Sequence, residues 1–289
     1  EGSIDLSGDK AVALYGEVGG ALVNNNIIKV GTNGVGIYNK GATTGENGAN
    51  GVITLNGDYG IGMRSENATG NIENKGKIES SKLRAVGMSA SNGSNAVTNS
   101  RTIELSGQES IGLHTDNNGT AGHAVTNTGT ITLVDANDED KPNIGIYSEH
   151  SSDVIVNNGK IEAGKNTLGI YGKAGGNITL GASSETKVGD NGVAVFSTGG
   201  DITIANGAKL ETGANNGVGV YYSGSNGTIT NNTDKITIGD KSFGFVIKGG
   251  TNNKFFSNST GTVDLPDNSV YLYSADTTGT TSTVKNYTN

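Results

Sequence analysis

The segment Val35-Gly36-Ile37-Tyr38 returns along the whole chain at a nearly constant interval, and that interval restricts the fold more than any other feature. The pattern is apolar, small, apolar, then usually aromatic. Further copies are Val12-Ala13-Leu14-Tyr15, Ile61-Gly62-Met63, Val86-Gly87-Met88, Ile111-Gly112-Leu113 and Ile144-Gly145-Ile146-Tyr147. The series continues with Leu168-Gly169-Ile170-Tyr171, Val193-Ala194-Val195-Phe196, Val218-Gly219-Val220-Tyr221, Phe243-Gly244-Phe245 and, more loosely, Val270-Tyr271-Leu272-Tyr273. Counted from the first apolar residue, the spacings are 23, 26, 25, 25, 33, 24, 25, 25, 25 and 27. A fixed period of this size marks a stack of one supersecondary unit, each copy touching only its neighbours.

Each repeat holds two further short strand signals. One precedes the organising segment, as in Ile53-Thr54-Leu55, Ile103-Glu104-Leu105 and Ile131-Thr132-Leu133, and runs on to Val263-Asp264-Leu265. The other follows it, centred on Leu22, Ile72, Val97, Val125, Ile155, Ile178, Ile202, Ile229, Phe256 and Val284. The runs alternate apolar and polar over three to five residues and are broken by Gly, Asn and Asp, so they are strands with one face inward. No segment carries a sustained period of 3.6. Three strands per rung predict an all-β chain, residues 1–289 forming a single right-handed parallel β-helix of about eleven rungs of ~25 residues. At the usual inter-strand spacing the rod is on the order of 50 Å long.

The sequence restricts function by what it lacks. The chain has a net charge of −8 and no basic patch, which argues against a nucleic-acid partner. It contains no cysteine, so neither a disulfide framework nor a thiolate metal site is available. No apolar run approaches the ~18 residues of a membrane-spanning helix. The Gly- and Asn-rich composition would suit a disordered chain, but disorder needs no period.

Two columns of residues are candidates for a role. Two positions after the follower apolar residue stands Asn24, Asn74, Asn99, Asn127, Asn157, Asn231, Asn258 and Asn286, a turn ladder whose amides can bond from rung to rung. The ladder is absent at Leu180 and Ile204, and the repeat at 35–60 shows no clear follower strand. In the organising segment the first and third residues are expected inward and the second and fourth outward. That pleat predicts a glycine-floored trough walled by Tyr38, His114, Tyr147, Tyr171, Phe196 and Tyr221, where rigid rings with polar tips suit sugar or protein recognition, or simply stack on one another. Loops of varying length leave the same strand at 65–71, 89–96, 114–124 and 148–154, along one edge of the rod where function tends to be carried. Lys and Glu flanking the inward residue, as at Lys77 and Glu79 or Lys160 and Glu162, predict a solvated ion-pair lattice.

Other chemistries have weaker support. Paired carboxylates on successive rungs, which a polysaccharide-degrading enzyme requires, are missing. His114, His123 and His150 are too scattered for a metal site or a triad. The insertion Val134 to Asn143 carries Asp135, Asp138, Glu139 and Asp140, yet lacks the glycine and closing glutamate of a calcium loop. No metal, cofactor or catalytic residue is assigned.

Laid out in this register, the chain resembles the passenger domains of type V autotransporters, and most of all the large fusobacterial-type outer-membrane adhesins. The matching blocks are Gly129-Thr130-Ile131-Thr132-Leu133, Asn143-Ile144-Gly145-Ile146-Tyr147 and Val154-Ile155-Val156-Asn157-Asn158-Gly159. The resemblance implies a rod displayed on the outer surface of a Gram-negative cell, attached in the longer protein to an outer-membrane β-barrel. It implies adhesion to another bacterium, a host cell or their glycans, with a passive stalk as the alternative. It carries no shared catalytic or binding motif. Neither end shows a cap, so a fragment of a longer passenger that tends to stack end to end is expected.

Overall fold

A computed structural model describes residues 2–116 and 122–284. The organising segments form an eleven-stranded sheet running from Val12–Gly16 to Val270–Ala275. The preceding strands form a ten-stranded sheet from Ile4–Leu6 to Ile236–Thr237, and the follower strands an eleven-stranded sheet from Ala21–Asn24 to Thr281–Val284. These are called here the second, first and third sheets. Every pairing joins one rung to the next and is parallel, as in Ile78 beside Ile103 and Val97 beside Val125. There is no helix among the described residues. The fold is therefore the parallel β-helix that the repeat predicts.

Its interior is a single apolar column. Ile28, Ile53, Ile78, Ile103, Ile131 and Ile161 line it from the first sheet, and Ile37, Met63, Met88, Leu113, Ile146 and Ile170 from the second. Val97, Val125, Ile155, Ile178, Ile202 and Ile229 complete it from the third. Full burial of one such side chain contributes about 1.5–3 kcal/mol, and a set of three recurs at most rungs. Towards the C-terminal end the aliphatic filling gives way to Tyr222, Phe245 and Phe255, with Tyr271 packed edge-on against both phenylalanines.

The pleat of the organising strand departs from the expected one. Both Gly36 and Ile37 are buried, while Val35 and Tyr38 bracket them. The ladder pairs Val35 with Ile61 and Ile37 with Met63, passing over the glycine. A Cβ placed on Gly87 would lie 2.8 Å from Ile103 Cγ2 and 2.5 Å from the carbonyl oxygen of Gly112 on the next rung. The backbone thus bends at the glycine, and two consecutive residues face the interior. Glycine is required because the first-sheet isoleucine and the neighbouring carbonyl together fill the space of a side chain. The glycine row is the inner lining of the sheet and not the floor of an outer trough. The first residue of the motif, expected inward, is buried at Val35 and Ile144 but half-exposed at most other rungs, such as Ile61, Val86 and Val193.

The strand also continues beyond its fourth residue. A fifth position points inward and carries Asn39, Ser65, Thr115 and Ser148, all buried, so residues expected to begin the loops belong to strands such as Ile61–Ala68 and Ile111–Asp116. At the other end, Val263-Asp264-Leu265 forms no strand, which leaves the first sheet one strand shorter than the other two.

The asparagine column is a buried hydrogen-bonded chain. Each side-chain amide donates to the next at 2.8 Å, from Asn24 to Asn47, Asn74, Asn99, Asn127 and Asn157 in turn. Asn157 then donates to the Thr186 hydroxyl at 3.1 Å. Asn47 closes the gap left at the second rung, because Thr44–Asn47 is the follower strand there, with Gly45 in the inward place that an apolar residue was expected to hold. The remaining amide proton turns to the backbone, for example from Asn74 to the Thr102 carbonyl. Leu180 and Ile204 then occupy the column, and Asn231 stands apart, bonded to Thr233 and the Tyr271 hydroxyl. Asn258 does not belong to it. Ser257 pairs with Asn231, so Phe255 rather than Phe256 turns inward, and Asn258 lies exposed and bonded to Asn232. Two adjacent phenylalanines leave the register undecided in sequence, and a one-residue slip exchanges the faces. Asn286 lies outside the described residues.

A mid-ladder break leaves two buried amides each short of one partner, whereas a break at the end leaves one so. Asn99→Ala is expected to cost about 2–4 kcal/mol in denaturant unfolding, and Asn24→Ala clearly less. Equal losses at both sites would contradict a continuous chain of bonds.

Candidate functional site

Three outer faces leave the rod, and each has its own chemistry. On the first sheet the outward side chains are charged and mutually paired. Lys77 bridges Glu79 at 2.7 Å and Glu104 at 3.0 Å, Lys160 meets Glu162 at 2.6 Å, and Lys187 and Lys209 reach Glu211 and Glu185 on adjacent rungs. This is the expected lattice, and exposed pairs of this kind contribute little to stability.

The second sheet carries the aromatic row. His114 and Tyr147 stack with centroids 5.3 Å apart, Tyr147 and Tyr171 at 5.2 Å, and Tyr171 and Phe196 at 4.8 Å with planes only 3° apart. Tyr221 meets Phe196 edge to face at 86°. Five successive rungs thus bring together His114, Tyr147, Tyr171, Phe196 and Tyr221. Tyr38 lies apart from them, beyond Arg64 and Ser89, and makes an edge contact with Tyr15. Because the rings lie face on face, their edges and hydroxyls form the outer surface. The half-buried aliphatic row Val86, Ile111, Leu168, Val193 and Val218 runs beside them in place of the expected glycine floor.

Charged groups fix both parts of this lane. Glu149 accepts from Lys173 at 2.9 Å and lies 3.3 Å from His114 Nε2, while Lys173 also sits over the Tyr147 ring. Partial burial works against the Glu149 anion, but the Lys173 and His114 hydrogen bonds outweigh it and hold this carboxyl below its usual range. Tyr38 donates to Glu66, and Arg64 pairs with Glu66 at 3.0 Å while covering the Tyr38 ring. Desolvation, then the bond to Glu66, pushes the Tyr38 hydroxyl up to about 12.

The third sheet is different again. Its central outward row reads Thr98, Thr126, Val156, Thr179, Thr203 and Thr230 on consecutive rungs in register. The repeating signal, an apolar residue followed by Thr and often Asn, was legible but is easily taken for β-propensity alone.

A buried polar corner joins the second and third sheets. Asp153, 1% exposed, accepts from the Thr115 hydroxyl at 2.6 Å, the Ser148 hydroxyl at 2.7 Å and the His123 amide at 2.7 Å. His123, also 1% exposed, directs Nδ1 to the Asn95 carbonyl at 3.3 Å, and its Nε2 has no partner. The sequence placed His123 on a loop edge. Instead it stands one residue before a follower strand, in the column that also holds Asn95 and Asp153. His150, by contrast, is a surface residue whose Nδ1 accepts the Ser152 amide.

The acidic insertion is a braced ledge. Asn143 accepts the Ser110 amide and donates to the Val134 carbonyl, Asp135 accepts the Lys165 amide, and Asp138 accepts the Asp140 amide. Among the described residues no group of three His, Asp or Glu side chains converges as a metal site would require. Comparison with family models, characterised proteins and solved structures finds no match for this chain.

Burial lowers the pKa of His123 from its ordinary value; nearby Asp153 and Asp116 oppose the shift, and His150 reinforces it. A neutral folded histidine takes up its proton less readily than the unfolded chain does. Its stabilising contribution is therefore whole above about pH 6.5 and is lost as pH falls towards the depressed folded value. Thermal unfolding between about pH 7 and about pH 5 should show a drop in Tm that is reduced in His123→Gln. An unchanged pH slope in that variant would remove His123 as the cause.

Proposed function

We propose that this chain is a segment of a bacterial cell-surface adhesin, presented as a β-helical rod on the extracellular side of the outer membrane. In this reading the rod attaches the cell to another bacterium or to host cells and their glycans, and performs no catalysis. The observation that carries it is the lane of His114, Tyr147, Tyr171, Phe196 and Tyr221. It is a continuous aromatic surface over five rungs, next to the edge where loops of unequal length emerge. Rigid aromatic rings with polar edges provide contact area at low entropic cost. The resemblance of the repeat to autotransporter passengers supports the location and the link to an outer-membrane β-barrel.

A passive stalk is the second reading, favoured by the face-to-face stacking itself. Rings that cover one another offer a partner only their edges, and the stack then serves to stiffen the rod.

Binding of the purified rod to partner bacteria and host cells separates the two. Saturable binding that falls at least about tenfold in the Tyr147→Ala, Tyr171→Ala, Tyr221→Ala triple variant would place the contact on the lane, since aromatic anchors commonly contribute over ~1 kcal/mol each. Binding that survives the triple change moves the contact elsewhere on the rod, and none at all favours the stalk.

A further inference from the structure

The outer face of the third sheet has no part in the aromatic lane, and its chemistry is uniform. From Thr98 to Thr230 the central row holds five threonines and one valine and carries no charge. Beside it run Ala96, Ala124, Val154 and Asn177, also uncharged, until Asp201 is reached. Below the strip the same central row is Glu46 and Glu73, both paired with Lys75. The neutral strip therefore begins at a definite rung.

These hydroxyls are idle, whereas several polar groups of the other two faces are engaged. Tyr15 and Tyr38 donate to Glu17 and Glu66, and the first-sheet lysines are ion-paired. Among the described residues, no side-chain hydrogen bond engages the hydroxyls of Thr98, Thr126, Thr179, Thr203 or Thr230. Each is half-exposed or exposed. A threonine hydroxyl donates one hydrogen bond and accepts two, and its β-branched side chain is already restricted at χ1, so little freedom is lost on binding. Parallel pairing sets the row at the inter-strand repeat of about 4.8 Å.

We propose that this strip is a docking lane for an extended, uncharged glycan lying along the rod. A charged partner finds no counter-charge between Thr98 and Thr179, and only the single carboxylate of Asp201 beside Thr203. A polyhydroxylated chain matches the row, because it too presents donors and acceptors on one molecule and C–H surfaces that can rest on the threonine methyls and on Val156. This rests on the reading of the chain as an adhesin and locates a glycan contact on the face opposite in character to the aromatic one.

The test is titration of the intact rod with neutral probes (cello-, malto- and chito-oligosaccharides) and with acidic ones (hyaluronan and heparin fragments). Binding to a neutral probe is expected. It should weaken at least about tenfold in the Thr126→Val, Thr179→Val, Thr203→Val variant, which removes three hydroxyls but keeps the shape that Val156 already has in the row. Thr179→Lys should abolish it, and the Tyr147, Tyr171 and Tyr221 alanine variant should bind as the parent does. Circular dichroism confirms that each variant is folded. Unaltered affinity in the valine variant, binding restricted to acidic probes, or no binding to any neutral probe would overturn the lane. If neutral probes fail while whole cells are still bound, the lane falls and the adhesin reading stands. If cells and glycans both fail, the two fall together.

Discussion

Parallel pairing of one rung to the next is the constraint from which the rest of this structure follows. Each strand must satisfy its backbone groups on the strands above and below, so equivalent residues are held directly over one another. Whatever occupies a position is then repeated as a column, and the chemistry of a column is decided once for the whole rod. Isoleucine columns make the core and asparagine makes an amide chain. Aromatic residues outside make a stack, and lysine with glutamate makes an ion lattice. Short strands suffice because the unit of stability is the column and not the hairpin.

The same constraint explains why the glycine row is inside. Three sheets close around a narrow interior, and the first-sheet isoleucine reaches across to the second sheet. Where it arrives, only a hydrogen fits. The bend at that residue allows the next one to face inward as well, and it leaves the aromatic outside without inverting the pleat. The methyl group of Ala194 is accepted in this row, at a rung where the neighbouring first-sheet column holds Thr186 and Leu210 in place of isoleucine.

Much of the fold was legible because columns repeat in sequence as well as in space. The period, the number of strands per rung and most of the asparagine ladder follow from spacing alone. The failures fall where a column is locally interrupted. Gly45 concealed a follower strand because an inward glycine gives no apolar signal. Phe255 and Phe256 concealed a register because either can face inward. The motif beginning at Val35 was assigned a regular pleat because alternation is the default for a strand, and nothing in a single repeat indicates two consecutive inward residues. The His123–Asp153 corner was invisible for a different reason: its members are thirty residues apart and each is unique in its column.

The columns also divide the surface into three lanes that cannot substitute for one another. Charges that neutralise each other on the first sheet leave it with little to offer a partner. Aromatic rings that cover each other on the second expose only their edges, with Glu149 and Lys173 bound at the His114 end of the stack and Glu66 and Arg64 at the separate Tyr38. The third sheet keeps a row of threonine hydroxyls unengaged, in a strip that carries no charge from Thr98 to Thr179. A rod built only to be stiff has no reason to differ from face to face, because stacking and ion pairing could serve equally on all three. That the sides differ so consistently over many rungs argues that they meet different surroundings.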